Sequence, residues 1–367
     1  MAFNEKPVLI FWETTRRCSL RCMHCRASAI SSPLPGELTA EEGFRLLEQI
    51  QSFGKPYPLL VLTGGDPLER PDIYEQIKKA KELGINCAIS PAVTEKLSKK
   101  VFDRIKENGC GSVSISLDGA TAETHDTIRR VPGTFDRTLS AIHDASEAGL
   151  KVQVNTVVMG QNFMELPEIF KLIRSMGVKT WELFFLINIG RGTTAADMTP
   201  EIYEEVCNFV YDASFYGTVI RCVEAPFIRR IRYLRDSSAV ATNGKIYEKL
   251  VARLYELEGK ISSGSSTLST VGTLDGDGGI FIGYDGSIYP GGFMPYELGN
   301  VKTDPLANIY RENRLLKKIR NREFKGACGY CEFRQRCGGS RARAYALKKD
   351  PLETDPACLA TTKLIRK

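Results

Sequence analysis

Eight residues, Cys18-Ser19-Leu20-Arg21-Cys22-Met23-His24-Cys25, follow directly on the apolar run Val8-Leu9-Ile10-Phe11-Trp12. Three thiolates in so short a loop suit one soft metal centre. Four would close an iron–sulfur cube, whereas three leave one iron open to another ligand, which makes the cluster reactive. The competing reading is a partial zinc knuckle. Structural zinc prefers paired Cys-x-x-Cys units and four protein ligands, and no fourth ligand lies nearby in the sequence.

A second constellation stands near the C-terminus: Cys328-Gly329-Tyr330-Cys331, then Cys337-Gly338-Gly339-Ser340, then Cys358. Four thiolates close a site, so this one is expected to be wholly protein-ligated, with zinc as the competing metal. Cys87, Cys110, Cys207 and Cys222 have no ligand-like spacing and are expected in the core. Between the two cysteine groups, Gly64-Gly65-Asp66-Pro67 offers a turn whose glycines let backbone approach a ligand closely. Asp118, at the end of Ser114-Ile115-Ser116-Leu117-Asp118-Gly119, offers a carboxylate for ribose hydroxyls, or simply a strand-end turn. Arg129 brings a planar fork suited to a carboxylate. Asn155 is polar within an otherwise apolar run and is expected to face an interior, while His125 and His143 have no visible partners and read as surface residues. Arg191, in the flexible Gly190-Arg191-Gly192, is the candidate clamp for a substrate carboxylate, with a solvated loop arginine as the alternative.

The elements that must position these residues alternate short β-rich runs with amphipathic helical stretches from Val8 to about Leu186. That pattern reads as successive βα units and a parallel sheet. Strands are expected at Val8–Trp12, Pro58–Thr63, Asn86–Ser90, Ser112–Leu117, Lys151–Val158 and Thr180–Leu186. Thr39-Ala40-Glu41-Glu42 is a capping box opening one of the helices, and Thr199-Pro200 caps another. The fold class is α/β: a partial (β/α)6 TIM-type barrel, which places its chemistry on the loops after strand C-termini. Residues 1–217 form this barrel, 218–258 a strand and polar helices bridging onward, and 259–367 a small C-terminal domain. Ser262 to Ser269 and Gly272 to Gly279 read as a mobile boundary loop, and Asp285-Gly286 between Ile280-Phe281-Ile282 and Ser287-Ile288-Tyr289 as a hairpin turn.

Cys18, Cys22 and Cys25 match the Cys-x-x-x-Cys-x-aromatic-Cys signature, and the chain resembles the radical S-adenosylmethionine (SAM) enzymes. The resemblance implies a [4Fe-4S] cluster on three cysteines, with its free iron chelated by the amino and carboxylate groups of SAM. One electron into the sulfonium then gives a 5′-deoxyadenosyl radical. His24 falls on the position that lies against adenine in the family, or is a solvated loop histidine; neither makes it a metal ligand. Gly64, Gly65, Asp66 and Pro67 stand where the family carries Gly-Gly-Glu-Pro around the methionine amino group. Ser90, Ser116, Asp118, Arg129 and Asn155 are the further cofactor-facing candidates, Arg129 for the methionine carboxylate.

The C-terminal half resembles the SPASM class, in which Cys328, Cys331, Cys337 and Cys358 match the ligands of the outer auxiliary [4Fe-4S] cluster. Places that would ligate an inner cluster hold Gly276, Gly278, Gly279, Gly291 and Gly292, so one auxiliary cluster is expected and the vacated space is expected to admit a larger substrate. Taken whole, the sequence looks like the branch containing the alternative heme synthase, which oxidatively decarboxylates iron-coproporphyrin. Ser340 stands where those synthases carry cysteine. The implied partners are an anionic small molecule such as iron-coproporphyrin and an electron donor such as ferredoxin or flavodoxin. The alternative substrate is a ribosomally made peptide. Enzymes of that kind often carry an N-terminal leader-binding domain, and only seven residues precede the first strand here.

Composition sets the outer limits. A chain of 367 residues, 43% hydrophobic and 26% charged, is ordinary for one large α/β domain with an appendage. No run approaches the roughly 18 apolar residues of a membrane span and no signal pattern opens the chain, so a cytoplasmic protein is expected. Eleven cysteines at metal-like spacings do not suggest a disulfide framework. Residues 311–349 hold 13 Lys or Arg against three acids, enough to hold an anionic substrate or RNA phosphates, or to offset the charge of a thiolate-ligated cluster. A metal-stabilised RNA-binding module would want closed metal sites, so the open three-cysteine loop argues against nucleic acid as partner.

Overall fold

The computed structural model describes residues 3–193, 196–237, 244–261, 264–270 and 272–361. Six strands appear where hydrophobic alternation placed them: β1 (Leu9–Glu13), β2 (Leu59–Thr63), β3 (Cys87–Ile89), β4 (Cys110–Ser116), β5 (Lys151–Val158) and β6 (Thr180–Phe185). β7 (Val219–Val223) and β8 (Leu268–Ser269) extend the same parallel array, β1 to β8 in sequence order. At the other edge β10 (Gly278–Ile282) runs parallel to β1, with the short β9 (Leu274–Asp275) beside it. The hairpin follows, β11 (Ser287–Tyr289) antiparallel to β10 and β12 (Gly299–Asn300) outermost. The expected boundaries at 217/218 and 258/259 do not coincide with breaks in this sheet, because β7 and β8 continue one edge and β10 to β12 the other. Part of the expected boundary loop, residues 262–263 and 271, lies outside the described residues.

Strand alternation sorts the two faces. Ile10 and Trp12, Leu60 and Leu62, Val113 and Ile115, Val154, Trp181 and Leu183, and Ile220 face the helices and join one large core. Trp181 stacks against Phe170 at 5.5 Å and donates its indole N–H to Thr156 Oγ1 at 2.9 Å. Burying side chains of this size stabilises by roughly 1.5–3 kcal/mol each. The opposite residues turn to the concave side, where Ser116, Asn155, Glu182 and Arg221 stand in one register across β4 to β7. Helix ends follow the sequence cues. Thr39 and Glu42 form the reciprocal capping box, and Thr199 caps the helix Pro200–Ala213.

Glu224, directly after β7, takes a left-handed backbone (φ 62°) that carries its side chain toward the C-terminal residues. Its carboxylate accepts a 2.5 Å bond from Ser340 Oγ and meets the carboxyl of Asp275, with the Glu224 side chain and Asp275 Oδ2 both buried. Burial pushes both upward, and Asp275, beside a second carboxylate, keeps its proton and donates it to Glu224. A folded state that holds a proton more tightly than the unfolded chain loses stability as pH rises through the folded value. Thermal unfolding is therefore expected to show a steeper loss of apparent Tm as pH rises above the ordinary carboxylate range in the wild type than in Asp275→Asn, whose amide donates without a titration. Parallel curves for the two proteins would contradict the shared proton.

Candidate active site

The Cys18–Cys25 loop leaves the C-terminal end of β1 without secondary structure of its own, and its neighbours hold it by backbone contact. The turn after β2 docks through Gly65 N–H to Thr15 O and Asp66 N–H to Arg17 O, both at 2.7 Å. A Cβ on Gly64 or Gly65 would collide with those carbonyls, and Gly64 sits at φ 149°. The glycines therefore serve a close approach between two loops. From the far side, Gly190 (φ 57°) lies against the Cys25 and Arg26 carbonyls, and Arg191 N–H donates to Cys25 O at 2.9 Å.

Each of the three sulfurs receives one donor: Leu20 N–H to Cys18 at 3.4 Å, Arg129 Nη1 to Cys22 at 3.6 Å and Ala29 N–H to Cys25 at 3.5 Å. Burial pushes the Cys18 thiol up to about 12 and raises Cys22 as well, so metal must displace protons to bind, while the donors favour the resulting thiolates. Among the described residues no three His, Cys, Asp or Glu side chains converge on a single metal ion. A cluster with one iron per thiolate asks for wider spacing than a lone zinc.

Asp118 organises the next layer. It is fully buried, pairs with Arg129 at 2.6 Å and with His24 Nε2 at 2.9 Å, and accepts Val157 N–H at 2.8 Å. Burial alone would raise its pKa; Arg129 and His24 hold it well below the usual carboxylate range. So Asp118 does not offer a free carboxylate to ribose hydroxyls, and His24 is pinned rather than solvated. His125, expected at the surface, is buried: its Nδ1 accepts Asp118 N–H at 3.1 Å, and burial lowers its pKa to about 4. His143 is exposed, beside Glu147. Ser116 and Arg129 line a small cavity with Leu20, Pro91 and Val93, next to Ser90, which follows β3. Asn155 faces the concave side and accepts from Gln153 Nε2 at 2.8 Å.

Asp66 provides the clearest vacancy in hydrogen bonding. Its Oδ1 accepts Leu68 N–H at 3.1 Å and Ala92 N–H at 3.3 Å, while Oδ2 is buried with no partner, close enough to Cys18 to raise its pKa. Burial raises Asp66 itself to about 6. A buried oxygen awaiting a donor beside the thiol loop fits an ammonium group. Arg191 is bonded to the thiol loop: Nε bonds Cys22 O at 2.9 Å and Nη1 bonds Ala29 O at 2.8 Å, while Nη2 is buried with no partner among the described residues. Two of its three nitrogens serve that loop, so Arg191 acts as a strut of the thiol loop.

Cys328, Cys331, Cys337 and Cys358 line one cavity with Arg230 and Phe333. Arg341 Nη2 donates to Cys328 Sγ at 3.6 Å and its other donors bind Gly339, Pro351 and Glu353 carbonyls. Arg343 bonds the Glu224 and Leu186 carbonyls and pairs with Asp355. Both arginines are 2% exposed, so this part of the basic segment offsets buried charge instead of presenting a face to a polyanion or RNA. Ser340 caps the helix Arg341–Lys348, its Oγ accepting Arg343 N–H at 3.0 Å. The space expected to open where inner-cluster ligands are missing is filled. Asp275 lies against Gly291, Leu316 and Ile319 against Gly276, and Phe3 against Gly278. Cys87, Cys110 and Cys207 are buried in the core as expected, and Cys222 is half-buried.

A parallel partial barrel with an open three-thiol loop at its mouth and a closed four-thiol site beside it defines a class. A model of the Radical SAM superfamily matches residues 12–173, and one of an iron–sulfur cluster-binding (SPASM) domain matches residues 275–337. The chain belongs to the Radical SAM superfamily, and its cofactors are SAM, the open [4Fe-4S] cluster and an auxiliary iron–sulfur cluster. More particularly, it is 33% identical to the AdoMet-dependent heme synthase of Methanosarcina barkeri over 98% of both chains. It is 34% identical to that of Oleidesulfovibrio alaskensis over 95% of this chain and 86% of the other. The solved structure of anSMEcpe with bound AdoMet shares the fold, with a TM-score of 0.66 over 98% of this chain and 95% of its own at 18% identity. Among the described residues no helix is long and apolar enough to cross a membrane.

Two variants test the geometry. Asp66→Ala, which removes the waiting oxygen, is expected to weaken SAM binding about ten- to hundredfold, the worth of a hydrogen bond to a charged group. The measurement is SAM-dependent perturbation of the reduced-cluster EPR signal, and an unchanged titration would deny the ammonium its partner. Arg191→Ala is expected to speed loss of iron from the three-thiol loop to a chelator, with the four-thiol site unaffected. Equal rates in wild type and variant would leave Arg191 without a holding role.

Proposed function

We propose that this enzyme oxidatively decarboxylates propionate side chains of an iron-tetrapyrrole such as iron-coproporphyrin. The supporting observation is identity to AdoMet-dependent heme synthases along the whole chain, with both thiol sites in place. When bound, SAM and the open cluster supply a 5′-deoxyadenosyl radical and the auxiliary cluster an electron acceptor. Cys18, Cys22 and Cys25 hold the open cluster, and Cys328, Cys331, Cys337 and Cys358 the closed one. Asp66 receives the SAM ammonium at Oδ2, while Gly64, Gly65 and Pro67 fix the turn that carries it. Ser116 and Arg129 face the cavity beside the thiol loop, with Ser90 at its edge, and Asn155 shares the concave register of Ser116. His24 and Asp118 keep Arg129 oriented toward both that cavity and Cys22. Net, each propionate loses one hydrogen atom, CO2 and one electron and becomes a vinyl group. The electron for SAM cleavage comes from a low-potential donor of the ferredoxin or flavodoxin kind, and the enzyme works in the cytoplasm.

Likeness to a solved structure bound to a precursor peptide rests on fold alone and gives the peptide alternative no added weight. Anaerobic incubation of the reconstituted protein with SAM, reductant and iron-coproporphyrin III is expected to yield CO2, 5′-deoxyadenosine and a vinyl-bearing porphyrin, with none of them from Cys22→Ala. Formation of 5′-deoxyadenosine with no change in the porphyrin would refute the substrate.

A further inference from the structure

Several cations near the thiol loop are matched by acids. Arg16 and Arg26 share Glu13 at 3.2 and 3.1 Å, Arg17 and Lys96 share Glu69, and Arg129 has Asp118. Arg221 differs. It sits on β7 in register with Glu182 and Asn155, while its neighbour Ile220 points into the helix-packed core, so its side chain lies on the concave face. It is exposed there, in no ion pair among the described residues, and its one bond runs from Nη1 to Gln153 Oε1 at 3.2 Å. Reaching Gln153 carries the guanidinium across β6, about 10 Å of sheet, over the face that also presents Ser116 and Asn155. Glu182 lies between them, but its Oε2 accepts from Gln153 Nε2 at 2.8 Å and it forms no ion pair with Arg221. The rest of the guanidinium fork faces open space, the arrangement that pairs with a carboxylate in two parallel bonds. Phe184 and Phe293, with ring centroids 6.1 Å apart, supply apolar surface one step nearer the mouth, since Phe184 follows Glu182 on the same face.

We propose that Arg221 binds a carboxylate of the substrate inside the barrel, with Gln153 holding the guanidinium in place and Phe184 and Phe293 lying against the apolar body of the ligand. This rests on the tetrapyrrole reading above. Arg221 is then a specificity-determining residue that orients the propionates.

The test is a Soret titration of iron-coproporphyrin III and of its tetramethyl ester against SAM-loaded wild type, Arg221→Ala and Arg221→Lys, with iron content and circular dichroism confirming folded holoenzyme. The free acid is expected to bind Arg221→Ala about ten- to hundredfold more weakly than wild type, with partial recovery in Arg221→Lys. The ester is expected to bind wild type and Arg221→Ala alike. Equal affinity of wild type and Arg221→Ala for the free acid overturns the assignment and leaves the proposed reaction standing. A weakening that persists with the ester reassigns Arg221 to structure and also overturns it. Failure of wild type to bind the free acid removes the tetrapyrrole reading and this inference with it.

Discussion

An eight-residue loop with no regular structure must present three thiols in fixed relation, and the surrounding fold is shaped by that demand. The loop's own hydrogen bonds are few, so rigidity comes from outside: the Gly64-Gly65 turn presses on Thr15 and Arg17, and Gly190 on Cys25 and Arg26. Both approaches bring backbone against backbone, closer than any side chain allows. They also come from opposite sides, one from the end of β2 and the other from beyond the end of β6. Closing the parallel sheet partway into a barrel brings these distant loops onto the two ends of the thiol-bearing segment, Thr15 to Arg17 before it and Cys25 to Arg26 at its close, which ties the site to the topology rather than to any single element.

Asp118 extends the same logic inward. A lone buried carboxylate would be costly, and removing one partner of a buried pair typically costs about 3–5 kcal/mol. Asp118 is satisfied from three directions, by Arg129, His24 and Val157 N–H, and Arg129 in turn touches Cys22. The carboxylate thereby links the end of β4 to the thiol loop and to β5. One group fixes the orientation of an arginine and a histidine at once.

Much of this was legible in the sequence because it is local. The strands follow from alternation, and the capping box and hairpin follow from short-range chemistry that the structure reproduces at Thr39–Glu42 and Asp285-Gly286. The thiol groups and the Gly-Gly turn could be found by spacing. What could not be read was the direction of charged side chains. Arg191, Arg341 and Arg343 look free in a sequence, yet most of their partners are main-chain carbonyls, at separations of 2 to 169 residues, which carry no signature of their own. His125 was missed for the same reason, since its partner is the N–H of Asp118. Arg221 lacked any motif; only its register with Glu182 and Asn155 reveals the face it occupies.

The region of the missing inner ligands shows how such a gap is closed. Removing thiolates from a buried place leaves either a void, which loses packing, or space for other side chains. Here the space takes two acids, Asp275 and Glu224, and an uncompensated pair of buried carboxylates would repel. Retaining one proton turns the repulsion into a hydrogen bond, and Ser340 supplies a second donor from the segment that follows Cys337. The same Ser340 oxygen caps the helix that carries Arg341 to Cys328 and Arg343 to the Glu224 carbonyl. Seated on this contact, the four-thiol site is braced against the end of β7 without any inner ligand, and β7 is the strand that carries Arg221 across the concave face.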